Sequence, residues 1–323
     1  MNNFGKNLRV TIFGKSHSDH MGCVIDGCFA GINFSKADLE AFLERRKPHM
    51  PGTTPRTEDD KPKIISGIYK GKTDGTPLAI LFKNKNIKSG DYDAFRDLPR
   101  PGHADFAANI KFAGYNDPRG GGMFSGRLTL PLTAAGFVAM KHLPGIKIKA
   151  ELKEAGGSKD ISLAVDDAIR EKDSIGGIIE CIIRGVKPGI GNPFFDSIES
   201  LISHIMFSIP GIKGIEFGAG FGISSMKGSE ANDAVIEAGG RTKTNHSGGI
   251  NGGISNGNDI IFRLAVRPAP TIGRPQETLN FKTLRMDTLE GKGRHDVCFA
   301  LRLPVVVEAC AAIALADLYL FEY

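Results

Sequence analysis

Residues 259–268 read DIIFRLAVRP. Ile260, Phe262, Leu264 and Val266 fall on one side of an extended chain, and Ile261, Arg263, Ala265 and Arg267 on the other. That period of two is the mark of a strand with one buried face. A second stretch, VVVEACAAIALADLYLFEY at 305–323, has no such alternation and is apolar all round apart from Glu308 and Asp317. It is too short and too charged for a membrane span, and is expected to be a buried helix. Strand-like and helix-like patterns do not alternate strictly along the chain, which points to an α+β fold rather than a doubly wound sheet.

The same reasoning extends outward from these two anchors. Val10–Phe13 predicts a strand. Ser35 to Asp38 predicts a helix start, with Leu39, Phe42 and Leu43 on its inner face and Arg45-Arg46-Lys47 at its end before Pro48. Strands are expected over 63–68 and 77–82, around a GKTDG turn, and over 177–186. Helices are expected over 133–143, 162–171 and 196–207, the last with Asp196 and Glu199 at its start. The polar stretch 83–102 is too long for a tight turn and fits an active-site loop. No linker, low-complexity tract or repeat divides the chain, so one domain over residues 1–323 is expected.

Of 323 residues, 41% are apolar and 24% charged, the balance of a soluble globular protein large enough for a sizeable core. The net charge of +5 is mild. With no long basic run and no aromatic-interleaved basic stripe, nucleic acid is not an expected partner. The five cysteines, 23, 28, 181, 298 and 310, are odd in number and form no C-x-x-C pair, which suits buried thiols in a reducing compartment. The opening MNNFGKNLRVTIFG shows no charged-then-apolar targeting pattern, and a cytoplasmic location is expected.

The 41 glycines cluster beside ionisable residues in four places. GKSHSDHMG at 14–22 holds Ser16, His17 and His20. RPGHAD at 100–105 holds His103 and Asp105. DPRGGGMFSGRLT at 117–129 holds Arg119, Ser125 and Arg127. GKGRHD at 291–296 holds Arg294, His295 and Asp296. Singly, each has a bland reading as a tight turn, a solvated histidine or a surface ion pair. Taken together, the histidines and aspartates allow a metal site, but their spacing follows no zinc pattern and no metal is expected.

The order of these motifs is more specific. From end to end the chain resembles the chorismate synthases. Their GESHG and IDG stand here as GKSHS (14–18) and IDG (25–27), and their RRRP and TTPR as RRKP (45–48) and TTPR (53–56). SGIYKGKTDGTP (66–77), RPGHAD (100–105), RGGGMFSGRLT (119–129), SIPGIKGIEFGAGF (208–221), NHSGGINGGISNG (245–257), RPAPTI (267–272) and GRHDVC (293–298) follow in family order.

The resemblance implies an α+β fold with helices held between antiparallel sheets. It implies loss of phosphate from 5-enolpyruvylshikimate 3-phosphate by 1,4-anti elimination, giving chorismate, with reduced FMN and no net redox change. It carries catalytic roles to His17 (the leaving phosphate), His103 (the flavin N1–O2 edge) and Asp296 (near N5). It places Ser16, Arg46, Arg56, Ser125, Arg127 and Arg294 at the substrate. It places Met123, Phe124, Ser125, Pro210, Gly211, Gly252, Arg267, Pro268, Ala269, Pro270, Thr271 and Arg294 at FMN. It also implies a homotetramer, and no G-x-G-x-x-G follows a strand, so an external flavin reductant is expected. Two other readings remain open at this point: a flavin- or phosphoester-binding relative without catalysis, and a metal-dependent phosphoester hydrolase. The chain departs from the family pattern at Lys15 and Ser18, at Met123 and Phe124, at Leu128, and over 49–52.

Overall fold

The structure is a computed structural model that describes residues 2–55, 58–85, 95–290 and 296–320. Two antiparallel sheets enclose two apolar helices. The first sheet has the order β1-β2-β3-β7-β4, built from β1 (Asn3–Phe4), β2 (Arg9–Phe13), β3 (His20–Asp26), β4 (Lys63–Ser66) and β7 (Leu78–Lys83). Between β4 and β7, β5 (Ile68–Tyr69) and β6 (Lys72–Thr73) pair across a turn at Lys70-Gly71, so the expected GKTDG turn (71–75) instead supplies β6 and the Asp74-Gly75 turn after it. The second sheet has the order β10-β13-β9-β8, from β8 (Lys147–Ala155), β9 (Gly177–Arg184), β10 (Ile212–Phe217) and β13 (Ile260–Val266). The opening stretch is therefore central to the second sheet: Ile260, Phe262, Leu264 and Val266 are buried and their alternates half-buried. Small hairpins β11 (Ile250–Asn251)–β12 (Ile254–Ser255) and β14 (Gln276–Asn280)–β15 (Arg285–Leu289) lie outside both sheets.

Helix α1 (Lys36–Glu44) begins where expected, its Ser35 hydroxyl accepting from Asp38 N–H at 3.1 Å. A short α2 (Asp105–Lys111) follows RPGHAD. Helix α3 (Thr129–Met140) starts four residues earlier than its apolar pattern suggested, because Thr129 Oγ1 and the preceding turn 126–128 lead straight into it. Helices α4 (Ile161–Arg170) and α5 (Ile198–Met206) match expectation, except that Ser197, not Asp196, caps α5; Asp196 instead pairs with Lys6 at 2.7 Å. A one-turn α6 (Gly228–Ala231) precedes the 233–259 loops. Helix α7 (Pro304–Tyr319) is buried from Val305 to Leu318.

Helix α3 packs on the first sheet, α7 on the second, and the two helices pack on each other. They approach so closely at Gly136 that a Cβ there would lie 2.2 Å from the Cβ of Ala309. The two charges inside α7 are both used. Asp317 Oδ1 accepts from the backbone N–H groups of Lys6, Asn7 and Leu8 at 2.6–2.9 Å, tying the N-terminal segment to the core. Glu308 binds Arg45 at 2.7 Å and accepts from Ala150 N–H. All five cysteines are free and buried, and burial pushes Cys23 and Cys28 up to about 12. Among the described residues, no helix is long and apolar enough to cross a membrane.

Candidate active site

The loop between β2 and β3 turns at Gly14, whose φ of 108° suits glycine. The turn sends Ser16 and His17 inward, leaving them 1% and 6% exposed. Ser16 N–H donates to the Gly122 carbonyl at 3.0 Å, joining this loop to the triple glycine. Ser18 braces the loop locally, its Oγ 2.9 Å from Lys15 N and 2.6 Å from the His20 carbonyl.

Gly120, Gly121 and Gly122 all have positive φ (58°, 82° and 54°). A Cβ at Gly120 would lie 2.5 Å from both the His17 ring and Ser16 Oγ. A Cβ at Gly121 would lie 3.2 Å from His103 Nε2. The two histidines thus converge, from distant parts of the sequence, on two consecutive residues that have no side chain.

His103 stands in a local cluster. Its Nδ1 is 2.6 Å from Asp105 Oδ1, and Arg100 grips both oxygens of the same carboxylate at 2.8 Å. Burial pushes the Asp105 carboxyl upward, but the bonds and charges of Arg100 and His103 outweigh it and hold it well below the usual range.

The far wall is cationic. Asp60, a non-glycine residue at φ 51°, has Arg46 Nη2 at 2.7 Å on one oxygen and Arg127 Nη1 at 2.5 Å on the other. All three are buried. Burial lowers Arg46 to about 10, opposed by Asp60, so it stays charged at neutral pH. Burial raises the Asp60 carboxyl, and the two arginines overcome this and bring it down. Arg127 Nε also donates to Asn84 Oδ1 at 3.2 Å, and Asn84 in turn donates to the Ser18 carbonyl, so the arginine is keyed to the His17 loop. Asp296 accepts from Thr54 N–H at 2.8 Å and faces Arg302 at 3.3 Å; Arg302 also donates to the Arg46 carbonyl.

These groups surround one cavity of about 600 Å³, within the range of small-molecule and cofactor sites. Among the described residues that line it, Arg46, Lys47, Arg100, Arg127, Arg267 and Arg302 face three carboxylates, Glu58, Asp60 and Asp296. Ser16, His17, His103, Met123, Phe124, Ser125, Pro210, Gly211, Ala269, Pro270 and Thr271 complete the set that sequence reading assembled. Arg267 N–H donates to the Gly211 carbonyl and its Nη1 to the Gly102 carbonyl at 2.6 Å, closing the rim between β13 and the RPGHAD loop.

Other expectations fall elsewhere. Pro268 is not part of the lining; its carbonyl accepts from Arg267 Nε. Gly252 sits in the β11–β12 hairpin turn, where a Cβ would meet nothing within 4 Å, and does not line the cavity. Arg56 and Arg294, with His295, lie outside the described residues. Arg263, on the half-buried face of β13, is paired with Glu216 at 2.9 Å. His20 is exposed at the start of β3, and the described residues contain no cluster of three metal-ligating side chains.

Sequence reading missed Asp60, Arg100 and Arg302. Asp60 lies in TEDDKP, where nothing distinguishes it from two acidic neighbours. Arg100 stands in RPGHAD, where His103 carries the more distinctive chemistry.

The cavity fits a phosphate-bearing flavin and an anionic partner. Ser16 Oγ and Arg127 Nη2 are buried with no hydrogen-bond partner among the described residues. Met123 and Phe124 offer a partly exposed apolar wall. The adjacent glycines let a planar ligand approach the backbone.

The chorismate synthase family model matches residues 8–320. The chain belongs to the chorismate synthase family. A chorismate synthase of Chitinophaga pinensis is 54% identical over the whole of this chain and 97% of its own length. Those of Korarchaeum cryptofilum and Pyrococcus abyssi are each 42% identical, over 97% and 98% of this chain and 96% and 97% of theirs. A crystal structure of chorismate synthase superposes with a TM-score of 0.76 at 24% identity, covering 99% of this chain and 93% of that one, a likeness that speaks for the α+β fold.

The departures from the family pattern now have positions. Lys15 Nζ is 3.6 Å from Asp117 Oδ2, outside the cavity lining, and Asp117 is held more tightly by Arg119 at 2.8 Å. Leu128 packs against the core. Met123 and Phe124 are departures that lie in the wall itself.

Proposed function

We propose that this chain eliminates phosphate from 5-enolpyruvylshikimate 3-phosphate to give chorismate, with reduced FMN in the same cavity. The observation that carries the reading is the meeting of His17 and His103 at Gly120 and Gly121 inside an arginine-rich cavity. The substrate bears a phosphate and two carboxylates. Arg46 and Arg127, both buried and both charged, supply fixed cations for such a polyanion without needing to reorganise. His17 holds a proton for the departing phosphate, with Ser16 as its hydroxyl neighbour. His103 turns its Nε2 toward the cofactor, where the cationic ring offers an N–H. Asp296, fixed by Thr54 and Arg302, assists near the place of the flavin N5. When bound, reduced FMN supplies electron density to the substrate and a site for the C6 proton. Met123, Phe124, Ser125, Gly211 and the run Arg267, Ala269, Pro270 and Thr271 would hold it.

Arg56 and Arg294 are assigned to substrate, and Arg294, Gly252 and Pro268 to FMN, on the family resemblance alone. A single domain, a cytoplasmic homotetramer and an external flavin reductant complete the proposal, supported by buried free cysteines and by that resemblance.

The test is an anaerobic assay with chemically reduced FMN and the enolpyruvyl substrate. Phosphate and chorismate are released together, and His17→Ala and His103→Ala each abolish most of the rate. No release from the parent protein overturns the reading in favour of a non-catalytic relative.

A further inference from the structure

We propose that Arg100 and Asp105 form a positioning pair for His103, fixing which ring nitrogen carries the proton and turning the other toward the cavity. Its catalytic meaning rests on the reading of His103 given above; its geometry does not.

Asp105 Oδ1 lies 2.6 Å from His103 Nδ1. A carboxylate has no proton to offer, so the proton between them belongs to Nδ1. Arg100 Nη2 is 3.0 Å from the same nitrogen, but a guanidinium offers only hydrogens, and a protonated Nδ1 cannot accept one. Arg100 therefore directs its donors to the carboxylate: Nε to Oδ2 and Nη2 to Oδ1, both at 2.8 Å, with its backbone N–H on Oδ2 at 3.1 Å. The guanidinium lies over the Phe95 ring, 4.5 Å from its centroid. Asp105 is thus held on both oxygens and buried. It is left with one direction in which to accept, and His103 fills it.

The consequence falls on Nε2. That atom faces Gly121, the residue whose glycine identity leaves space beside it. With Nδ1 committed, Nε2 is the only ring position that gains or loses a proton. The neutral ring presents a lone pair there and the cationic ring presents N–H at the same place. The opposite tautomer would set a bare Nδ1 against a carboxylate, which repels it. Residues 100–103 form one turn closed by His103 N–H on the Arg100 carbonyl, and Asp105 follows as the first residue of α2, so the arrangement is local and needs no ligand to assemble.

The experiment uses the full chain labelled with ¹⁵N-histidine. Eight histidines give a short list of signals, and His103→Gln identifies the one of interest. Long-range ¹H–¹⁵N spectra at alkaline pH are expected to show the Nδ1–H tautomer for His103 in the parent. In Asp105→Asn, whose amide can donate to Nδ1, the signal moves to the Nε2–H tautomer or a mixture. Kinetically, Asp105→Asn lowers kcat about 10- to 100-fold with KM changed less than about threefold. Adding Asp105→Asn to His103→Gln costs little further, because the pair acts only through that ring. Arg100→Lys, which keeps charge but loses the fork, gives a smaller loss of kcat. A parent spectrum showing Nε2–H overturns the proposal, and needs no variant to fold. So does an unchanged His103 signal or unchanged kcat in Asp105→Asn. A parent that releases no phosphate overturns the functional reading instead, while the spectra still decide the pair.

Discussion

Arg127 Nη1 lies 2.5 Å from Asp60 Oδ1, with both side chains almost wholly shielded from water. Arg46 takes the other oxygen, so one carboxylate balances two guanidiniums. The trio leaves one uncompensated positive charge fixed in the cavity wall, which is a standing attraction for a polyanion. It is also a liability, because buried cations without a partner are costly.

Replacing Asp60 with alanine is therefore expected to destabilise the protein by about 3–5 kcal/mol, the range for breaking a buried ion pair from one side. Denaturant unfolding of Asp60→Ala beside the parent measures it. A change below about 1 kcal/mol means that the arginines find other partners and the trio is not a structural unit.

Acid pH acts on the same groups. Asp60, Asp105 and Asp117 all have carboxyls held below the ordinary aspartate range in the folded protein, through the arginines they bind. A carboxyl depressed on folding contributes stability that is present above its unfolded value and disappears as pH falls through the folded one. Stability should thus be flat in pH above about 5 and fall steadily below about 4. Thermal unfolding measured from pH 7 to pH 2 checks this. Asp105→Asn should show a shallower acid limb than the parent; an equal slope would remove Asp105 from the account.

Gly136 and Ala309 mark where α3 meets α7. Gly136→Ala inserts a methyl at 2.2 Å from an existing one, so the helices must separate. We expect a loss of about 1–3 kcal/mol or more from overpacking. Ala309→Gly in the same chain should recover only a small part of it, since it removes one struck atom while the residue 309 Cα and carbonyl carbon remain 2.3 and 2.6 Å from the new methyl. Unfolding free energies of the two single variants and the double variant give the coupling; additive losses would place the clash elsewhere.

Both patterns that opened the sequence reading hold physically. The alternation at 260–266 is legible because β13 has one face in the core, and the featureless apolarity of 305–318 because α7 is buried on all sides. β8 was not legible: KIKAELKEA carries helix-forming lysine, glutamate and alanine, yet it forms a strand because β9 offers it an open edge, and its charges suit that edge. β3 was hidden because its first three residues, His20 to Gly22, are the end of the glycine-framed motif. At the site, residue types with one plausible chemistry, the histidines and glycines, were readable. Asp60 was not, since its role comes from two arginines remote in sequence, and only the fold brings them to it.

The sharpest prediction concerns Gly120. Its φ of 58° is available to other residues only at a cost, and its missing Cβ is where the His17 ring and Ser16 Oγ stand, each 2.5 Å away. Gly120→Ala must push one of them aside. The site is on a loop at the cavity rather than between core helices, so the fold should survive while the histidine loses its position. Misplacing a catalytic group by about 1 Å costs on the order of a hundredfold in rate. We expect kcat to fall by about that factor, with unfolding midpoint within a few degrees of the parent. Gly121→Ala meets His103 Nε2 at 3.2 Å, a milder contact, and should give the smaller loss. Steady-state assays under anaerobic conditions, with thermal melts of the same samples, decide the matter. Gly120→Ala at parental kcat would show that His17 does its work, if any, without the place this backbone reserves for it.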